Sequence, residues 1–135
     1  VDPYFCFTNP NWGNYKPLLV ELINRLVGFS SVSTVRTIEI HTSDRYGGLQ
    51  ALMDREVLPL LPQDFKVVCQ SWPHNEMHDR FILTDVGGLF LGHGLGVFQL
   101  DGGQQVLVSA LEREMLKREL SKLDKPPSES AQVEK

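Results

Sequence analysis

The residues best suited to chemistry lie close together in the second half of the chain. His78 is followed two positions later by Arg80 and five positions after that by Asp85, and His93 lies between two glycines. An imidazole can attack phosphorus covalently, a fixed cation neutralises phosphate oxygens, and a carboxylate orients an imidazole. These residue types are compatible with a phosphodiester site in which His78, Arg80 and Asp85 are candidate catalytic residues. Arg80 and His93 are candidate phosphate ligands, because the flanking glycines allow a ligand close to His93.

Each of these residues also has a plain structural explanation. His78 fits the edge of a strand, and Arg80 fits a surface ion pair with Asp79. Asp85 begins the turn sequence Asp-Val-Gly-Gly, where a carboxylate caps backbone N–H groups. That turn lies at the tip of a predicted hairpin, so the hairpin does not by itself place Asp85 beside His78. The sequence leaves both explanations open.

A second group of polar residues ends a predicted strand. His41 and Ser43 are further candidates for phosphate binding, because α/β sheets place ligand groups at strand ends. Capping of the next helix by Thr42 or Ser43 explains the same residues nearly as well. The four histidines and two cysteines show no spacing typical of metal ligands, so we expect no metal and no cofactor.

Composition limits the classes of function. The chain has 135 residues, 41% hydrophobic residues and a net charge of −4, which suits one domain without a basic coat for nucleic acid. A local basic groove is still compatible with that charge. No apolar run reaches about 18 residues and no leader is present, so no membrane span is expected. Cys6 and Cys69 have apolar neighbours, which favours free thiols and a cytoplasmic location.

The hydrophobic periodicity predicts a mixed α/β sheet covered by helices. Loop composition covers 8–14, and helical spacing follows Pro17 until Gly28. The remaining predicted elements are strand 35–41, a helix carrying Leu49 to Val57, strand 65–71, hairpin strands 80–84 and 89–91, strand 105–111 and helix 111–123. Residues 1–123 then form one domain, and 124–135, rich in Pro, Ser and charge, form a disordered tail. The start, 1–5, is typical of the end of a strand, which predicts that the chain is the C-terminal part of a longer protein.

The motif resembles the signature of the phospholipase D superfamily: His-x-Lys, four residues, Asp, six residues and a Gly-Ser pair. Arg80 stands at the Lys position and His93 at the Ser position. More of the chain, from about Val1 to Phe98, is similar to the phospholipase D-like domain found C-terminal to MIT (microtubule-interacting and transport) domains and to its bacterial relatives. The segments that carry this likeness are 1–4, 38–43, 77–80 and 92–98.

The resemblance implies a phospholipase D-like fold with one motif per chain. Since one active site of that superfamily uses two motifs, it implies a homodimer, with Asp2 bracing the site and a further domain upstream. The expected function is to bind and hydrolyse phosphodiesters, nucleic acid above all, without metal, as the nuclease or effector end of a bacterial protein. The alternative is a non-catalytic module for dimerisation that binds an acidic membrane surface or a protein partner. Three departures from the superfamily lower the expected turnover: Arg80 replaces Lys, His93 replaces Ser, and Leu95 lies where the superfamily has Asn. Asp85, at the family spacing, raises it.

Overall fold

The fold of the described residues is mixed α/β, with two three-stranded sheets and three α-helices. The computed structural model describes residues 1–5, 7, 12–28, 36–43, 48–76, 79–92 and 108–135. Its elements are α1 (Trp12–Gly28), β1 (Thr37–Ser43), α2 (Leu49–Glu56), β2 (Lys66–Trp72), β3 (Phe81–Leu83), β4 (Gly88–Leu91), β5 (Val108–Ala110), α3 (Arg113–Lys122) and β6 (Glu129–Glu134), with short 3₁₀ turns at Leu58–Leu60 and His74–Glu76. None of the helices in these ranges is long and apolar enough to cross a membrane.

The first sheet has the strand order β1-β2-β6 and carries the main core. β1 runs parallel to β2 and β6 antiparallel to it, so that Ile40, Cys69 and Ala131 lie opposite one another. Because successive side chains of a strand alternate between faces, these residues share the face on which the helices pack. The buried cluster there is built by the first sheet, α1, α2 and the N-terminal segment: Phe5, Phe7, Trp12, Tyr15, Leu19, Ile23, Ile40, Leu49, Met53, Val57, Leu61, Phe65, Val67, Cys69, Ala131 and Val133.

The prediction of a disordered tail at 124–135 is wrong, because Glu129–Glu134 forms β6. Ala131 and Val133 alternate with polar residues and are each only 4% exposed. Their burial against β2 offsets the entropy of ordering the strand, which the polar and proline-rich composition had concealed. The backbone N–H of Gln132 also donates to Gln50 Oε1 of α2, at 3.2 Å. The folded domain therefore includes most of the predicted tail.

The second sheet has the order β3-β4-β5 and confirms the predicted hairpin. β3 and β4 pair antiparallel, with Ile82 opposite Leu89. At the turn, the Gly87 N–H donates to Thr84 Oγ1 at 3.0 Å and the Thr84 N–H donates to the Gly87 carbonyl at 2.8 Å. An added Cβ at Gly88 would lie 2.9 Å from Leu111 Cδ1, so the leucine side chain would have to shift to admit it.

The first two residues of the chain connect the two sheets. Val1 exchanges two backbone hydrogen bonds with Phe81 of β3, at 2.8 and 2.9 Å. The Asp2 N–H donates to the His41 carbonyl of β1 at 2.9 Å. Val1 and Asp2 thus pair on both sides as a strand does, in agreement with the strand end predicted for 1–5. The lateral order becomes β6-β2-β1, then Val1–Asp2, then β3-β4-β5.

Three element boundaries differ from the prediction. α1 begins at Trp12 rather than near Pro17, because Trp12 and Tyr15 extend its buried stripe by one turn. α2 begins at Leu49 after Gly48, whose φ of 75° is left-handed, so the predicted cap at Thr42 or Ser43 does not form. Both of those residues belong to β1. The structure describes the predicted strand 105–111 only from Val108 onwards, and Val108–Ala110 forms β5.

Candidate functional site

Arg80 is the centre of the candidate site and directly precedes β3. Its side chain is 22% exposed, and its Nε lies 3.8 Å from Asp2 Oδ1. The guanidinium carbon lies 4.7 Å from the centroid of the Tyr4 ring, within the range of a cation–π contact. Nη1 donates a hydrogen bond to the Gly92 carbonyl at 3.3 Å. Two separate segments of the chain, the N-terminal one and the end of β4, therefore orient this cation.

Asp2 contacts Arg80 from the buried side of the site. Its side chain is 2% exposed, and Oδ1 accepts a hydrogen bond from the Tyr4 N–H at 2.9 Å. That bond closes the turn that brings the Tyr4 ring against Arg80. A buried carboxylate also lowers the cost of holding a guanidinium away from bulk water. Asp2 lies where the resemblance predicts a supporting residue.

The guanidinium of Arg80 is only partly satisfied by the protein. It carries five N–H donors, and among the described residues one hydrogen bond is formed, to Gly92. Nε is buried and has no hydrogen-bond acceptor. A buried donor without an acceptor costs roughly 1–3 kcal/mol. The exposed part of such a group is suited to an oxyanion, because phosphate oxygens accept the charge-assisted hydrogen bonds that the protein does not supply.

The two histidines of the motif, His78 and His93, lie outside the described residues. Their neighbours are nevertheless in contact. The Leu91 N–H donates to the Arg80 carbonyl at 2.8 Å, and Nη1 of Arg80 reaches Gly92, the residue before His93. Arg80 and Gly92, the described residues of the motif on either side of the hairpin, are thus brought together where β3 and β4 pair.

Asp85 lies apart from Arg80 and Gly92. It is exposed in the turn beyond β3, and no contact with Arg80 is present. Three strand residues at ~3.3 Å each separate the turn from Arg80. Thr84 Oγ1, and not the Asp85 carboxylate, accepts the hydrogen bonds from the N–H groups of Val86 and Gly87 in this turn. The catalytic role of Asp85 stays a prediction.

His41 and Ser43 hold the fold together rather than face a ligand. His41 is 4% exposed, its Nδ1 accepts a hydrogen bond from Trp72 Nε1 at 3.1 Å, and its Nε2 lies 3.4 Å from Glu39 Oε2. Since Nδ1 is an acceptor, the proton of the neutral ring is on Nε2. Burial lowers the pKa of His41 to about 4. Both ring nitrogens of His41 therefore have partners inside the fold, and its phosphate-binding role stays a prediction.

Ser43 is 3% exposed and donates to the Pro3 carbonyl at 2.7 Å. Thr42 donates to the Phe5 carbonyl at 2.8 Å. The end of β1 thus fixes the segment that carries Asp2 and Tyr4. The hydroxyl of Ser43 is thus used to hold the segment next to Arg80, and its phosphate-binding role stays a prediction.

With this geometry established, the chain was compared with known proteins. No protein-family model, curated protein or solved structure matches it. An assignment of function therefore depends on the contacts of Arg80 with Asp2, Tyr4 and Gly92.

A second concave site was not predicted from the sequence. A cleft of about 320 Å³, here called the α3 cleft, lies where the ends of β2 and α3 meet β3. Its walls are formed by Val1, Trp72, Glu76, Asp79, Phe81, Leu83, Glu119, Lys122, Leu123 and Lys125. These residues come from distant parts of the chain, so no local pattern indicates their meeting.

Two further groups were considered as reactive centres. In the parts of the chain that the structure describes, no cluster of three His, Cys, Asp or Glu side chains could hold a metal ion. Cys69 is a free thiol whose pKa burial raises to about 12. A thiol with that pKa is protonated at neutral pH and is a poor nucleophile.

Proposed function

We propose that the chain is a phospholipase D-like module that binds the phosphate of a phosphodiester through Arg80. The observation that carries the proposal is the state of the guanidinium: it is oriented by Asp2, Tyr4 and Gly92, yet most of its N–H groups have no acceptor among the described residues. A cation that is fixed but unsatisfied is suited to bind an anion without reorganisation.

Nucleic acid is the favoured class of phosphodiester. The Tyr4 ring is 42% exposed and stacks on Arg80, so a base attached to a bound phosphate has an aromatic surface within reach. Stacking of this kind tolerates any base. The net charge of −4 and the carboxylate of Asp2 limit the number of phosphates bound, which favours one phosphate over a long track.

Hydrolysis in this proposal follows the resemblance and requires a homodimer. His78 of one subunit attacks phosphorus and forms a phosphohistidine, while the partner subunit's His78 gives a proton to the leaving oxygen. Water then hydrolyses the phosphohistidine. Arg80 neutralises the phosphate oxygens, and Asp85 has no role in the step.

A binding module without turnover is the second candidate, and one observation favours it. Ile82 and Leu89 lie opposite each other on β3 and β4 and are 38% and 39% exposed, and Val108 of β5 is 49% exposed. Arg80 shares their face, because it is two residues before Ile82. A cation beside exposed apolar side chains suits the headgroup and acyl boundary of an acidic membrane surface, or a protein partner.

The decisive experiment measures binding and cleavage of single-stranded DNA and of bis(4-nitrophenyl) phosphate in EDTA. Arg80→Ala should weaken binding by about 1.5–3 kcal/mol, roughly 10- to 150-fold, since a charge-assisted hydrogen bond is lost. Arg80→Lys should keep most of the affinity. His78→Ala should abolish turnover but not binding. The control is Arg25→Ala, which removes an exposed α1 cation that pairs with Glu21 and should change neither.

Three outcomes separate the candidates. Equal binding by wild type and Arg80→Ala would exclude Arg80 as the phosphate ligand. Binding of DNA without cleavage would leave a nucleic-acid binding module. An inert wild type that sediments with phosphatidylserine vesicles, and loses this in Arg80→Ala, would establish the membrane-binding alternative.

A further inference from the structure

The α3 cleft is separate from the Arg80 site. Phe81 and Leu83 contribute one face of β3 to the cleft. Arg80 and Ile82, which alternate with them along the chain, lie on the opposite face. A ligand of the cleft would therefore be distinct from the phosphate proposed at Arg80.

The inner wall of the cleft is apolar. Trp72, Phe81, Leu83 and Leu123 line it, and both aromatic residues are fixed by the core, being 3% and 6% exposed. The volume of about 320 Å³ is at the lower end of small-molecule sites. The cleft is thus suited to a compact apolar body rather than to a large ligand.

The acidic side chains that line the cleft outnumber its basic side chains by one. Glu119, which is 4% exposed, is paired with Lys122 at 2.5 Å and with Arg118 at 3.1 Å. Lys125 Nζ lies 3.9 Å from Glu76 Oε2. Each of the two lining lysines therefore already has a carboxylate partner from the cleft itself.

Asp79 is the remaining charge. It is exposed at the cleft, and among the described residues it forms no ion pair. The cleft thus combines an apolar wall with one uncompensated carboxylate.

We propose that the α3 cleft binds a small organic cation, an ammonium group on an apolar body, with the ammonium at Asp79. The apolar body lies against Phe81, Leu83 and Leu123. The uncompensated carboxylate of Asp79 favours a cation over a neutral polar group. This inference does not depend on the proposed function of Arg80.

The test is a titration followed by nuclear magnetic resonance at pH 8 with three probes of one shape: benzylamine, benzyl alcohol and benzoate. Benzylamine should shift the signals of Trp72, Asp79 and Leu123, and leave those of Tyr4 and Arg80 unchanged. Benzyl alcohol should bind at least fivefold more weakly, and benzoate should not bind.

Two variants check the position of the charge. Asp79→Asn should weaken benzylamine binding about tenfold, and Leu123→Lys, which adds a like charge to the wall, should abolish it. Asp54→Asn, a change of an exposed α2 carboxylate, should have no effect. The proposal is overturned if benzylamine does not bind, if benzoate binds equally well, or if Asp79→Asn and Leu123→Lys bind as the wild type does.

Discussion

Arg80 and His41 are both partly or wholly buried polar residues, but they differ in how completely the fold satisfies them. His41 has a donor on one ring nitrogen, from Trp72, and a carboxylate on the other, from Glu39. Within the described ranges, Arg80 has one side-chain hydrogen bond and a carboxylate at 3.8 Å, and its Nε has no acceptor there. A buried polar group whose partners are all internal contributes to stability, whereas one left short of partners is available to a ligand. His41, which was selected for its place at a strand end, is therefore held by internal partners. Arg80, which was selected by the motif, keeps donors that a ligand could use.

The largest effect expected from this comparison concerns stability. Trp72→Ala should lower the free energy of unfolding by about 3–5 kcal/mol, because it removes a buried indole and the donor to His41. Arg80→Ala should cost only about 1 kcal/mol, the size of one hydrogen bond. Urea denaturation of both variants measures the difference. If Arg80→Ala were as destabilising as Trp72→Ala, Arg80 would be a structural residue and the comparison would fail.

The second effect is a pH dependence of stability. The pKa of His41 is about 4 in the folded chain and about 6.5 in an unfolded one. Between these pH values the unfolded state therefore binds more protons than the folded state. The contribution of neutral His41 to the free energy of unfolding is complete above pH 6.5 and is lost as the pH falls towards 4. It amounts to on the order of 3 kcal/mol.

Urea denaturation at several pH values measures this loss against the variant His41→Gln. Gln keeps an acceptor for Trp72 but does not titrate, so its stability should depend less on pH over the same range. An unchanged pH dependence in His41→Gln would show that other groups cause the loss.

The smallest effect is expected at the hairpin tip. Asp85→Asn should change stability by less than about 0.5 kcal/mol, because the side chain is exposed. It should also leave DNA binding and any turnover within about twofold. A loss of turnover above tenfold, with folding intact, would restore the catalytic role that the motif spacing predicts for Asp85.

Local patterns predicted the elements of this fold better than the site. The hairpin followed from Asp-Val-Gly-Gly between apolar runs, and β1 and β2 from alternating and apolar segments. β6 was missed because the composition of 124–135 outweighed the alternation at Ala131 and Val133. That alternation becomes stabilising only when the edge of β2 is present.

The site depends on contacts that no local pattern contains. Asp2 and Arg80 are far apart in the sequence, and they meet because Val1 pairs with Phe81 and Asp2 with His41. The burial of His41 likewise depends on the Trp72 ring from a neighbouring strand. The sequence identified Arg80 through its resemblance to a motif, but the satisfaction of its donors could be judged only from the packed structure.

Among the described residues, Val1–Asp2 is the only backbone segment that hydrogen-bonds to both sheets. Separation of the sheets breaks either the Asp2–His41 bond or the Val1–Phe81 bonds. If the Val1–Phe81 bonds break, Asp2 leaves Arg80 together with β1, and the proposed anion site is lost in the same event. If that site binds an anion, the anion should favour the bonded state, and the amide proton of Phe81 should then exchange more slowly with solvent.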